Sequence, residues 1–453
     1  MNPLIRKYNI PGPRYTSYPT VPYWDSNTFS TDLWQQSFIK SFEESNDKSG
    51  ISLYIHLPFC ESLCTFCACH KRITKQHSVE RPYIEAVLKE WQIYLDVLGK
   101  KPTISELHLG GGTPTFFSPA NLQFLIEGIF SNAIIGDSPE FSFEGHPNNT
   151  SIEHLHLLKQ LGFTRVSFGV QDYDGKVQKA INRIQPFENV QKVTLAARKA
   201  GYKSISHDLI FGLPFQTWDS MQETIEKTKS LMPDRIAFYS YAHVPWIKGT
   251  GQRGFDETNL PSAELKRALY ENGKELLSQL GYIEIGMDHF ALPTDSLYQS
   301  MQQKRIHRNF MGYTSSSTQL MIGLGMSAIS DSWYTFAQNE KSVEEYIKKT
   351  EQGVLPVIRG HVLNAEDLIV RRHILNLMCL LETSWEDEKM NLPQMNEILF
   401  RLQEMEKDGL IELSNKHLKV TETGRTFVRN VAMAFDLHLV RSQSNSRIFS
   451  MTV

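Results

Sequence analysis

The chain has 453 residues, 41% of them hydrophobic and 21% charged, with a net charge of −3. This length supports a sizeable core, and the charge balance excludes a polybasic chain drawn to nucleic acid or to an anionic membrane. No apolar run approaches the ~18 residues of a membrane span, and the N-terminus has no signal-peptide core, so neither membrane insertion nor secretion is expected.

Residues 1–50 read as an N-terminal arm. Within it, "IPGPRYTSYPTVPYWD" (10–25) is rich in proline and aromatics, which predicts extended chain rather than helix. From residue 51, β-rich runs alternate with helical ones. Strands are predicted over 51–58, 104–112, 140–147, 165–172, 204–214 and 235–245. Helical patterns fill 79–99, 119–130, 151–162, the stretch up to 200, and 218–232. This alternation predicts parallel βαβ units and an α/β fold, a partial (β/α)6 TIM-type barrel over 51–250. Polar and unusual residues fall at the strand C-termini, where a barrel gathers its site. A doubly wound open sheet, with its crevice at a strand-order reversal, is the competing architecture. Residues 251–360 are expected to extend the barrel and complete the active site. Residues 361–453 are mostly helical; 392–432 reads helix, hairpin, helix, which is winged-helix-like. Its mixed charges lack a basic stripe, so a structural cover is expected rather than a nucleic-acid reader. A monomer is the expected state.

Four of the five cysteines lie in "YIHLPFCESLCTFCACHKR" (54–72): Cys60, Cys64, Cys67 and Cys69. Such crowding suits metal binding in a reducing compartment, so a cytoplasmic location is expected. A zinc site would need a second knuckle or histidines such as His56 and His70. A redox C-x-x-C, Cys64 to Cys67, leaves two thiols unexplained. Four thiols without a site would be an oxidation liability. Three thiolates on an iron–sulfur cluster fit the short-loop spacing. Cys379 lies in an apolar run and reads as a buried free thiol.

"HLGGGTPT" (108–115) is not a dinucleotide or Walker motif; its glycines allow close backbone approach to a ligand. Glu144, Gln171, Arg183 and Asp208 come from or follow successive strands. Together they offer carboxylates for ribose hydroxyls and an ammonium, and an arginine for a carboxylate.

The C-x3-C-x2-C loop, placed after the first strand of a βα series and carrying Phe66 before its third cysteine, resembles that of the radical S-adenosylmethionine (SAM) enzymes. The resemblance implies one [4Fe–4S] cluster on Cys60, Cys64 and Cys67, with an open iron for the amine and carboxylate of SAM. Cys69, one residue from Cys67, is awkward as a ligand of the same cubane and is expected beside it. In order along the chain, "KYNIPGPRYTSYPT", "HLGGGTPT", "SFGVQD", "DLIFGLP", "YAHVP", "GYIEIGMDHFA" and "HRNFMGYT", with the cysteine loop, resemble the oxygen-independent coproporphyrinogen III oxidases (dehydrogenases).

That resemblance implies oxidative decarboxylation of two propionates of coproporphyrinogen III to vinyls, giving protoporphyrinogen IX in haem biosynthesis. It also implies an electron donor, a final electron acceptor and two SAM molecules. Tyr54, Gly111 and Glu144, and more loosely Ile329, would contact the cluster-bound SAM. Phe66, Gly112, Thr113, Gln171, Arg183, Asp208 and Ala242 would line the second, and Tyr54 and Cys69 would serve catalysis. Arg14, Arg305 and Arg308 are candidates for the substrate carboxylates, with solvated surface charge as the alternative for each; Tyr15 and Tyr18 either cover the tetrapyrrole or are ordinary packing. Met311 and Ser315 to Ser317 depart from the family pattern, which has glutamine at the first position. A haem chaperone of the same fold is the alternative function; the arm and Cys69 argue against it. A zinc-stabilised regulator is the third.

Overall fold

The computed structural model describes residues 3–245, 251–252, 254–442 and 449–452. Six strands form its centre: β1 (Ile51–Leu57), β2 (Thr103–Gly111), β3 (Ile134–Gly145), β4 (Arg165–Gln171), β5 (Ser204–Phe211) and β6 (Arg235–Ser240). They pair in chain order, each parallel to the last, and helices fill the connections. The order never reverses, so the doubly wound alternative is excluded. Every residue of β1 is buried, which fits a parallel strand covered on both faces.

The 251–360 segment widens the sheet at both edges. Met321–Leu324 lies parallel to β1 and leads into the antiparallel strands Ile329–Asp331, Thr335–Asn339 and Val357–Val362. His289–Ala291 and Ile283–Gly286 add antiparallel strands beside β6. The expected boundary at residue 250 lies outside the described residues.

The C-terminal part is helical, with Ala365–Leu380, Met395–Lys407 and Val428–Phe435 around a three-stranded antiparallel sheet. Its core takes in Ile5, Tyr8, Tyr15 and Tyr18 of the arm. Tyr15 and Tyr18 are each 2% exposed, and the Tyr15 hydroxyl donates to Asp436 (3.0 Å). They are packing residues of this core, the second of the two roles expected for them.

The arm also differs from its extended expectation. Residues 10–25 are free of α-helix, but Pro3–Tyr8 and Thr31–Ser49 are helical. The second helix starts where Ser30 Oγ accepts from Leu33 N–H and ends at Gly50, with φ +68°. Trp34, Phe38 and Phe42 bury on the sheet beside Ser37, Ser41 and Ser45. Those serines dilute the apolar stripe, which hid the helix from its periodicity.

Candidate active site

β1 runs directly into the cysteine loop, and backbone hydrogen bonds fix that loop at both sides. Arg72 N–H donates to Pro58 O and Thr74 N–H to Cys60 O, each at 2.9 Å. On the far side Thr65 N–H and Oγ1 donate to the carbonyls of Ile181 and Ala180, both 3.0 Å, and Asn182 Nδ2 donates to Leu63 O at 2.8 Å. Lys71 Nζ reaches the carbonyls of Cys67 and Cys69, 3.2 Å each.

Cys60, Cys64, Cys67 and Cys69 are free thiols that open on one cavity of about 330 Å³. The next four strand ends complete it: Gly111, Gly112 and Thr113 from β2, Glu144 from β3, Gly169 and Gln171 from β4, and Asp208 from β5. Phe66 and Arg183 also line it. Five successive strand ends share a cavity only when the sheet curves, as a barrel does.

The glycine run is sterically required. Gly111 has φ +113°, and a Cβ on Gly112 would lie 2.5 Å from Pro58 O. Gln171 sits at a bulge between β4 and β5 with φ +70°, a rare conformation for a residue with a side chain. Arg183 Nη2 donates to Gly169 O (2.6 Å), and its Nη1 approaches Cys64 Sγ (3.6 Å). A Cβ at Gly169 would meet Gln171 Nε2 at 2.7 Å and Arg183 Nη2 at 2.9 Å.

The thiols are not equivalent. A hydrogen bond from Cys69 holds the Cys67 thiol down to about 6, helped by Lys71 and Arg183 against burial. The same contact, with the charge on Cys67, pushes Cys69 well up. Burial raises Cys60 to about 11, although Thr113 Oγ1 lies 3.3 Å from its sulfur. Burial also lifts Asp208 to about 7, while Ser167 Oγ donates to it at 2.8 Å. The cavity thus presents a thiolate, a proton-bearing neighbour and a carboxyl that gains from a hydroxyl or cationic partner.

Three candidates lie elsewhere. Tyr54, 8% exposed on β1, is not among the residues that line the cavity. Its hydroxyl donates to His56 Nδ1 (3.0 Å), and His56 Nε2–H donates to His70 O (2.9 Å), tying the strand to the loop. Ile329 packs near Trp24 and Phe336 in a separate apolar cluster. Ala242 lines a second cavity, also about 330 Å³. Of the carboxylate-binding candidates, Arg14 lines that second cavity and ion-pairs with Asp288. Arg308 is buried, its Nη2 donating to Arg14 O (3.2 Å). Arg305 lies apart, beside Lys304 and Cys379. Met311 shares a small space with Glu144 and Asp208. Ser315 donates to Glu140, so it serves the barrel interior.

Lys71, His146 and Asn148 also line the first cavity and were missed. Lys71 stood inside the cysteine motif. "GHPNNT" (145–150), a polar run after a strand, was a signal for the other two. Burial, with Arg183 nearby, pushes His146 down to about 2, so it is neutral.

Residues 54–228 match the model of the Radical SAM superfamily. The oxygen-independent coproporphyrinogen III oxidase of Helicobacter pylori (strain ATCC 700392 / 26695) is 39% identical over 99% of this chain and 98% of its own. That of Pseudomonas aeruginosa is 38% identical, covering 96% and 95%. The chain belongs to the oxygen-independent coproporphyrinogen III oxidase family. The solved coproporphyrinogen III oxidase from Escherichia coli, described as a radical SAM enzyme, superposes with a TM-score of 0.88 at 35% identity, covering 94% of this chain and 98% of that one.

Membership in the radical SAM class implies a [4Fe–4S] cluster and SAM, and the residues present fit both. Four thiols within one tied loop provide a soft donor set suited to an iron–sulfur cluster. The glycine run beside them packs its backbone against His56 and Pro58 so closely that no side chain fits there, and Gly111 and Gly112 line the cavity with the thiols. Among the described residues no helix is long and apolar enough to cross a membrane.

Proposed function

We propose that this chain converts coproporphyrinogen III to protoporphyrinogen IX by oxidative decarboxylation of two propionates, with Cys60, Cys64 and Cys67 as the cluster ligands. The observation that carries the proposal is the single cavity into which these thiols, the glycine run, Glu144, Gln171, Arg183 and Asp208 all open. Those three thiolates would hold the cluster, which would supply the one-electron reduction of SAM that starts removal of a propionate β-hydrogen, with CO2 lost and one further electron passed to the outside acceptor.

The chain's own residues bind, orient and shield. Gly111 and Gly112 offer close backbone approach to the cofactor's amino-acid end. Glu144 and Asp208 meet ribose hydroxyls or an ammonium, and Arg183 meets a carboxylate. Cys69, beside the cluster ligands and close to the second SAM, serves catalysis without ligating the cluster. Tyr54 acts through His56 and the loop, as a positioning residue. Two SAM molecules are part of the proposal: Phe66, Gly112, Thr113, Gln171, Arg183 and Asp208 line the second, with Ala242 at the border between the two cavities, tied to Phe66 through Gln252. An electron donor and a final acceptor act with the enzyme, which is taken to work in the cytoplasm as a monomer.

Anaerobic reconstitution with iron and sulfide, followed by SAM, a reductant and coproporphyrinogen III, tests this. Protoporphyrinogen IX with 5′-deoxyadenosine is the expected product pair. Haem binding with no decarboxylation would identify a chaperone instead.

A further inference from the structure

The second cavity lies between the arm, the ends of β5 and β6, the helix Ala263–Gln279 and the C-terminal part. Five of its lining residues are cationic: Arg14, Lys266, Arg267, Arg425 and Arg429. Arg14, Arg267 and Arg425 each face a carboxylate, on Asp288, Glu271 and Glu422. The remaining lining acid, Glu284, is taken by Lys274 at 2.5 Å.

Lys266 and Arg429 have no carboxylate partner among the described residues. Arg429 is spent on structure, donating to the carbonyls of Gly12, Pro13, Met451 and Thr452. Lys266 makes one hydrogen bond, to Tyr241 O at 2.6 Å, and its stem lies against Gly212. Burial, with Arg14 nearby, pushes its ammonium down to about 8. An ammonium in a cavity without a counter-ion is costly unless a ligand supplies the negative charge. The walls beside it are apolar and aromatic: Phe211, Tyr270 and Met287.

Two features join this cavity to the cysteine cavity. Gln252 Nε2 donates to Phe66 O (3.1 Å) and Ala242 O (3.0 Å), and these residues line the first and second cavities respectively. Asp208 and Phe211, on the same strand, also face one cavity each. Their three-residue offset sets them on opposite faces of β5, so this strand is a wall shared by the two cavities.

We propose that this second cavity holds the non-reacting edge of the substrate, with Lys266 binding an unreacted propionate and Phe211, Tyr270 and Met287 covering the macrocycle. The assignment rests on the proposed reaction, and it makes Lys266 a determinant of specificity for a tetrapyrrole carrying carboxylates on both edges.

Binding of coproporphyrin III, the oxidised tetracarboxylate, to the reconstituted protein is the test, read by fluorescence quenching. Lys266→Met and the near-isosteric Lys266→Gln should each weaken binding roughly tenfold or more, since a charge-assisted hydrogen bond is lost. Lys266→Arg should restore most of it, and the visible absorbance of the cluster should be the same in all variants that fold. Binding unchanged in either neutral variant would overturn the site while leaving the reaction standing. A parent protein that turns over no coproporphyrinogen III would overturn the reaction, and the site with it.

Discussion

Cys67 and Cys69 are chemically unequal although one residue separates them. The first is held toward the thiolate by the second, and the second keeps its proton. The assignment of Cys69 as neighbour rather than ligand therefore rests on its spacing from Cys67 and is tested by iron content. Cys69→Ser is expected to assemble the cluster with parental iron content, while product formation falls roughly a hundredfold. Cys64→Ser should lose the cluster. Iron analysis and visible absorbance check both, and iron loss in Cys69→Ser would make it a ligand. Asp208 bears a second residue-scale prediction. The unfolded chain releases this proton near pH 4, whereas the folded chain holds it to about 7. The folded state therefore binds more protons across that window, and stability falls as pH rises from about 4 to 7, by up to on the order of 1.4 kcal/mol per unit. Asp208→Asn should leave Tm unchanged near pH 4 and raise it increasingly up to pH 7. A gain independent of pH would contradict the assignment.

The helix Thr31–Ser49 shows what an element adds to these residues. It covers the sheet beneath β1, whose C-terminal end launches the cysteine loop. Phe38 is fully buried, whereas Leu33 of the same helix is 40% exposed. Phe38→Ala should cost about 3–5 kcal/mol, and Leu33→Ala about 0.5 kcal/mol or less. Denaturant unfolding measures the difference; equal costs would show that the helix does not anchor the sheet. This helix was the largest gap in what the sequence revealed, because small buried serines occupy its inner face. The six barrel strands were legible, since their apolar runs and intervening helical periods are long and regular. The cysteine loop and glycine run were legible as motifs. Lys71, His146 and Asn148 were not, because single polar residues on loops acquire meaning only when strand ends converge.

At the scale of the molecule, the arm binds the two ends of the chain together. Arg429 holds the carbonyls of Gly12 and Pro13, Asn430 donates to Tyr8 O (2.9 Å), and Tyr15 donates to Asp436. Residues 3–18 thus pack with the C-terminal core, and together they wall the second cavity beside the barrel mouth. No run of sequence announces that partnership, which is built from contacts some 400 residues apart, such as Tyr8 to Asp408. It leaves a cofactor cavity on one side and a cationic, aromatic cavity on the other, the arrangement that radical chemistry on a propionate requires. Substrate deuterated at the propionate β-carbons tests that account most directly, by mass analysis of the 5′-deoxyadenosine formed under anaerobic turnover. Deuterium in the 5′-deoxyadenosine, together with protoporphyrinogen IX, is the predicted result. Unlabelled 5′-deoxyadenosine, or none with the porphyrin merely bound, would contradict it.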